Sequence, residues 1–252
     1  MILLQAERTS FRRGERRVVD AASLTLRAGR VMGLIGPNGA GKSTFLRMLA
    51  GLLRPESGHI RLAGRDISEI TAHQRARQLA FIPQEGQKPP PMPLRALVAL
   101  GRLPHGQTGE RAASHPAVHD ALTATGLLDL RDRPASHLSG GERARMNLAR
   151  ALATATPVIL ADEPIAALDP AHALSMMHLL RVLAAQGKGI IVVLHDLVLA
   201  ARFCDELVLM DNGAVVRHGP PAEVLRDDLM RSVYGVKVRR IENAVIPWSL
   251  DR

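Results

Sequence analysis

The sequence predicts an α/β fold, a parallel sheet covered by helices on both faces. Three observations point there. VMGLI (31–35), PVILAD (157–162) and GIIVVL (189–194) are short apolar runs without the polar alternation of a half-exposed strand, so both of their faces are buried. Segments of helical periodicity separate such runs, which is the spacing of strand–helix–strand crossovers. A chain of 252 residues, 46% of them hydrophobic, can also bury a sizeable core without staples, and its single cysteine, Cys204, excludes an internal disulfide framework.

After a first β-like segment, SLTLR (23–27) alternates apolar and polar residues, and VMGLI follows as a second strand-like run. STFLRMLAG (43–51) has helical periodicity and closes on Gly51, a residue suited to a helix C-terminus. HIRLAG (59–64) and LAFIPQ (79–84) read as short strands. KPPPMP (88–93) excludes regular structure, because its four prolines remove donors and fix φ. Helices are expected at LRALVALGR (94–102), PAVHDALTATG (116–126) and GERARMNLARALA (141–153). This helical stretch, about 86–155, interrupts the alternation and reads as a subdomain. Alternation resumes with PVILAD, a helix over 170–186, GIIVVL, a helix over 196–203 and ELVLM (206–210). DNG (211–213) before AVVRHG (214–219) predicts a hairpin. No internal repeat or low-complexity tail is apparent.

Lys and Arg number 33 against 24 Asp and Glu, a formal charge of +9. Such a balance can serve nucleic acid or an anionic membrane surface. Here the basic residues are scattered apart from RRGERR (12–17), aromatics are only 2%, and arginine far outnumbers lysine. The charge therefore reads as composition, and no nucleic-acid partner is expected. The chain opens with four apolar residues before polar ones intervene, too few for a secretory signal. No apolar run approaches the roughly 18 residues of a spanning helix. A soluble protein is expected, one that meets a membrane only through a partner.

GPNGAGKST (36–44) fits G-x-x-x-x-G-K-[ST] from Gly36 to Ser43, after a strand and opening a helix. Its glycines let the backbone curl so that N–H groups point at phosphate oxygens, and the helix adds its positive dipole end. Gly36, Pro37, Asn38, Gly39, Ala40, Gly41, Lys42, Ser43 and Thr44 are thus the candidate cradle of a nucleoside triphosphate. Lys42 would neutralise the β- and γ-phosphates and the Ser43 hydroxyl would ligate Mg²⁺. Such a loop needs a carboxylate at the end of another parallel strand, and PVILADE supplies Asp162 and Glu163. Asp162 would hold Mg²⁺ and Glu163 would orient or deprotonate the attacking water. Taken singly, the two acids could instead cap the next helix.

LSGGE at 138–142, between the phosphate loop and the acid pair, gives the resemblance: the chain is similar to the ATP-binding subunit of an ABC transporter. Gln84 in FIPQ, AALD (166–169) and His195 in VVLHD follow in that family's order, and the resemblance runs over about residues 1–235. It implies a P-loop NTPase fold of the ABC type as one domain over 1–252. An N-terminal antiparallel β subdomain, the inserted helical subdomain and a short C-terminal extension over about 220–252 go with it. It further implies a homodimer that sandwiches two ATP molecules. Ser139, Gly140 and Gly141 of one copy would complete the site held by Lys42 of the other. AALD would be the D-loop, with Asp169 among the nucleotide-binding residues; His195 would lie at the γ-phosphate, and Gln84 would sense Mg²⁺ and nucleotide.

The family usually places an aromatic residue before the phosphate loop to stack on adenine. The corresponding position here is Arg13, with Phe11 two residues earlier, so GTP as well as ATP is a candidate. Ala144 stands where the family often has glutamine, a departure expected to be tolerated. LVALGRLPHG (97–106) and residues 194–225 resemble importers of metal chelates: iron–siderophore, haem or cobalamin. The resemblance implies two membrane-spanning permease subunits and a periplasmic or lipoprotein substrate-binding protein. The chain would sit peripherally at the cytoplasmic face of a bacterial inner membrane. Residues 86–110 would dock a cytoplasmic helix of the permease, although the proline run could equally be a passive rigid connector; Arg95 and Arg102 could serve lipid headgroups or partner acids but read rather as solvated surface. The rivals, an ABC-type ATPase acting on nucleic acid or ribosomes and a P-loop kinase or GTPase switch, fit less well. The first usually carries two cassettes or long coiled coils, and the second leaves LSGGE and His195 unexplained.

Overall fold

The computed structural model describes residues 1–84, 88–166, 168–241 and 244–251. Residues 86 and 87 of the expected subdomain, Ala167 of the 166–169 segment, and 242, 243 and 252 of the C-terminal extension lie outside the described residues.

The chain opens with two long antiparallel strands, β1 (Ile2–Arg13) and β2 (Arg16–Arg27). β3 (Val31–Ile35) leads into α1 (Lys42–Leu49). β4 (Ser57–Leu62) and the two-residue β5 (Arg65–Asp66) complete an antiparallel sheet in the order β2-β1-β4-β5. The short α2 (Ala72–Ala76) precedes β6 (Leu79–Ile82). Next come α3 (Leu94–Ala99), α4 (Gly109–Ala113), α5 (Pro116–Ala124) and α6 (Gly140–Ala153). β7 (Val158–Ala161), α7 (Pro170–Ala185), β8 (Gly189–Val193), α8 (Leu197–Phe203), β9 (Glu206–Asp211) and β10 (Ala214–Gly219) follow. The chain ends in α9 (Pro221–Val224), α10 (Asp227–Tyr234) and a hairpin of β11 (Val236–Ile241) and β12 (Ala244–Leu250).

The central sheet has the order β10-β9-β3-β8-β7-β6 and is parallel except for β10, which turns back on β9 through the expected hairpin. β8 shows why its run is continuously apolar. Ile191 and Val193 enter the core shared with the antiparallel sheet and α1, whereas Ile190 and Val192 enter the core under α7 and α8. Burying each such side chain stabilises the fold by roughly 1.5–3 kcal/mol. A third cluster, with Leu94, Val98, Leu122 and Met146, belongs to the helices between β6 and β7. Register fixes the working edge. Leu34 pairs with Val193, Val192 with Ala161, and Ala161 with Ile82, so the segments after β3, β6, β7 and β8 leave the sheet side by side. Ligands of open α/β sheets collect at that carboxyl edge.

Several expectations change. The helix expected over 94–102 ends at Ala99 and tightens into a 3₁₀ stretch, Leu100–His105. There Gly101 lies so close to α6 that an added Cβ would stand 2.4 Å from the Arg150 carbonyl oxygen. Arg102 is not solvated surface: it is 6% exposed, and its guanidinium donates to the Ala153 carbonyl (2.8 Å) and to Gln107 Oε1 (2.8 Å). It thus satisfies the C-terminal end of α6. Arg95 is tied to Glu110 and, at 2.8 Å, to Asp132. No helix among the described residues is long and apolar enough to cross a membrane.

Cys204 follows α8 and packs beneath Gly33, where an added Cβ would lie 2.9 Å from its Sγ. Burial pushes its thiol up to about 12, so at pH 8 it stays protonated and shielded. A thiol reagent at pH 8 should therefore label the native protein only as fast as it opens, and label it at once in denaturant. Rapid stoichiometric labelling of the native chain would contradict this packing.

Candidate functional site

The phosphate-loop candidate leaves β3 and is seated by two glycines. Gly36 has φ of 146°, and a Cβ there would lie 2.1 Å from the Met210 carbonyl oxygen of β9. Gly41 has φ of 94°, with a Cβ position 2.5 Å from the Val18 carbonyl oxygen of β2. Any side chain at either position would force the loop off its neighbours. Gly41 is also the N-cap of α1 and supplies no side-chain cap, so the helix start keeps donors for a ligand. The Lys42 ammonium is buried against the loop, donating to the carbonyls of Gly36 (2.7 Å) and Pro37 (2.9 Å). Burial lowers its pKa, and the charges of Glu163 and Asp162 oppose that shift.

Ser43 and Asp162, far apart in sequence, meet at this edge: Ser43 Oγ donates to Asp162 Oδ1 at 2.8 Å. Asp162 is fully buried and its Oδ2 has no hydrogen-bond partner; the Arg47 guanidinium stands 3.9 Å away. Burial is the main cause of a raised carboxyl pKa, against the lowering effects of Ser43, Arg47 and Lys42. An orphaned carboxylate oxygen beside a hydroxyl, both hard oxygen donors, fits a small divalent cation such as Mg²⁺.

Glu163 adopts φ of 52°, a left-handed backbone that costs a non-glycine residue about 1 kcal/mol or more. That turn places its carboxylate between two partners. Gln84 Nε2 donates to Oε2 at 3.0 Å, and His195 Nε2 lies 2.6 Å from Oε1. Gln84 leaves β6, Glu163 leaves β7 and His195 follows β8, so adjacent strands deliver the three groups to one point. Neither acid of the pair caps the next helix. Asp169 does so, accepting from His172 N at 2.9 Å, and the hydrogen bonds from His172 hold its carboxyl below the usual range.

A cleft of about 320 Å³ runs along the loop, lined by Asn38, Gly39, Gly41, Lys42, Ser43, Thr44 and Glu163, and by Arg13, Arg16 and Val18 from the first hairpin. Arg13 is therefore at the cleft, whereas Phe11 packs half-buried against the core and does not line it. Arg16 and Val18 carried no motif in the sequence. Gly14 inside RRGERR, read as a hairpin turn, would have placed Arg16 directly opposite Arg13. Ala144 lines a separate cleft of about 230 Å³ with Gln84, Asn147 and Glu163.

Ser139, Gly140 and Gly141 stand apart from the loop cleft. Ser139 is the N-cap of α6 in a reciprocal capping box: Glu142 N donates to Ser139 Oγ (3.2 Å), and Ser139 N donates to Glu142 Oε2 (2.7 Å). The bond from the Ser139 amide is the main reason the Glu142 carboxyl titrates below its ordinary range. The next two residues, both glycine, leave the helix start bare of side chains. The structure thus joins Lys42, Ser43 and Asp162 on one side and Gln84, Glu163 and His195 on the other. Among the cleft-lining residues none comes from 139–141.

A family model described as "ABC transporter" matches residues 19–166. A "Hemin import ATP-binding protein HmuV" of Rhodococcus jostii is 42% identical over 244 residues, covering 97% of this chain and 84% of that relative. A "Cobalamin import ATP-binding protein BtuD" of Halobacterium salinarum is 39% identical over 223 residues, 88% of this chain and 56% of that longer relative. Among solved structures, an ATP-binding cassette of an ABC transporter in its ADP conformation is similar with a TM-score of 0.80. It is 26% identical, over 93% of this chain and 98% of that one. A phosphate loop, a buried acid beside its serine and a glycine-led helix cap, set in a fold shared along nearly the whole chain, have one common explanation: this chain belongs to the ABC transporter family, as an ATP-binding, ATP-hydrolysing subunit.

Proposed function

We propose that this chain powers an importer of a metal chelate, with haem, cobalamin and iron–siderophore as the candidate cargoes, by closing as a homodimer on ATP. The observation that carries the ATPase half is the hydrogen-bonded set Gln84–Glu163–His195 beside the Ser43–Asp162 pair. The loop N–H groups and Lys42 hold the β- and γ-phosphates. Ser43 and Asp162 hold Mg²⁺, with Gln84 a further candidate, and that ion when bound supplies charge neutralisation on the phosphates. Glu163 orients or deprotonates the water aimed at the γ-phosphorus, and His195 holds the carboxylate and meets the γ-phosphate. Because Ser139–Gly141 lie outside their own copy's cleft, they are free to complete the site of a second copy, with Asp169 near the junction.

The importing half draws on the relatives: the two curated proteins are named for import of hemin and of cobalamin. Two membrane-spanning permease subunits would receive the motion, fed by a periplasmic or lipoprotein substrate-binding protein, with this chain at the cytoplasmic face of the inner membrane. The helical layer offers a seat. A cleft of about 310 Å³ lies beside Leu100 and Leu103, apolar side chains 40% and 50% exposed, which suits an apolar helix of the permease. Reconstitution with the permease in proteoliposomes tests the reading. ATP hydrolysis should rise when the chelate-loaded binding protein is added, and chelate should accumulate on the opposite side. A chain that joins no membrane partner and binds DNA tightly in a salt-sensitive way would overturn it.

A further inference from the structure

The C-terminal extension reaches the phosphate loop from beneath. Val224, Leu225, Met230 and Val245 are buried in one core with Ile35, the residue before the loop, and with Leu209 of β9. Tyr234, the last residue of α10, packs against that core. Gly235, at φ of 66°, then turns the chain into β11. Arg240 ties this hairpin back, donating to the Leu225 carbonyl (2.6 Å) and to Asp227 Oδ1 (2.8 Å). Tyr234 thus sits between two fastened segments.

Its hydroxyl is the part that packing does not explain. The oxygen is sealed from solvent and makes no hydrogen bond of good geometry among the described residues. Phenylalanine would fill the same space without that desolvation cost. Burial pushes the phenol's pKa up, and the backbone of Gly36 opposes the rise. A carbonyl would add to it, so the group facing the hydroxyl is the Gly36 N–H. Gly36 is held on its other sides as well. Its α-carbon abuts the Met210 carbonyl, and its own carbonyl accepts from the Lys42 ammonium at 2.7 Å. Lys42 also donates to the Pro37 carbonyl, at 2.9 Å. With three donors, Lys42 cannot reach two phosphates and keep both carbonyls. The loop then needs a second anchor.

We infer that Tyr234 is a positioning residue for the phosphate loop: its hydroxyl accepts the Gly36 N–H and holds the loop's entry turn as Lys42 shifts from carbonyls to phosphate. The inference rests on the nucleotide reading of the loop and adds to it a support from the C-terminal extension.

Tyr234→Phe tests it. Calorimetry would follow binding of a non-hydrolysable ATP analogue and of inorganic tripolyphosphate, each with Mg²⁺, with thermal melting alongside. The variant should melt no lower than wild type, because the ring stays and only a desolvated hydroxyl is removed. It should bind both ligands about fivefold more weakly, and equally so, since the loss lies at the phosphates. In amide NMR, the Gly36 signal should move downfield on tripolyphosphate binding in wild type and move less in the variant. Unchanged affinity, a lower melting temperature, a loss confined to the ATP analogue, or the same Gly36 shift in both proteins would each overturn the role. Failure of wild type to bind tripolyphosphate would instead overturn the nucleotide reading of the loop.

Discussion

Glu163→Gln is expected to lower steady-state ATP hydrolysis by roughly a hundredfold or more while leaving ATP bound. The carboxylate sits where the segments after three adjacent strands converge, with Gln84 on one oxygen and His195 on the other. Glutamine keeps the shape but offers one acceptor oxygen for the two that Gln84 and His195 meet, and it removes the negative charge and with it the proposed base. Lys42 and the Ser43–Asp162 pair, the groups proposed to hold the phosphate end, are untouched. Removing an anion from the cleft also eases the approach of a triphosphate. The variant should therefore accumulate as an ATP-loaded dimer, read as a doubling of mass by light scattering, with phosphate release nearly abolished. Normal turnover would remove Glu163 from the chemistry.

Ser139→Arg should abolish hydrolysis by a different route. Ser139 caps α6 outside the loop cleft, so nucleotide affinity of the isolated copy should change by less than about twofold. Losing the capping box should cost the fold about 1 kcal/mol, too little to unfold a domain of this size. What should be lost is the fit of a second copy, because a long cation would replace a small hydroxyl at the helix start proposed to meet that copy's phosphate. In the parent protein, specific activity should rise with protein concentration as copies pair. Full-rate hydrolysis at all dilutions, or an active Ser139→Arg protein with unchanged turnover, would contradict a site shared between copies.

The parts of the molecule that were legible in the sequence are those where backbone geometry demands particular residues. Gly36 and Gly41 have no room for a side chain against Met210 and Val18, so the loop announces itself. The strand before Asp162 is buried on both faces, so its apolar run is unbroken. Legibility failed where tertiary contact overrides local pattern. Arg102 looks like a surface cation and is instead the buried partner of the α6 C-terminus. Gly101 allows the close approach that stops α3 early, a reason visible only with α6 in place. The terminal hairpin carries no strand signature, because β11, VKVRRI, is half-exposed and highly charged, and Arg239 stacks on the exposed Trp248 instead of joining the core. Phe11 is an aromatic near the expected distance from the loop, yet it packs against the core while Arg13, two residues on, lines the cleft; regular alternation would put both on one face, and the register irregularity between Phe11 and Arg12 interrupts it.

The most direct measurement is a structure of Glu163→Gln loaded with ATP and Mg²⁺. Two copies should face each other head to tail, with Ser139 Oγ and the Gly141 amide of one within hydrogen-bond distance of the γ-phosphate gripped by Lys42 of the other. If every contact to that phosphate comes from a single copy, ATP does not bridge the subunits, and its hydrolysis cannot be what parts them.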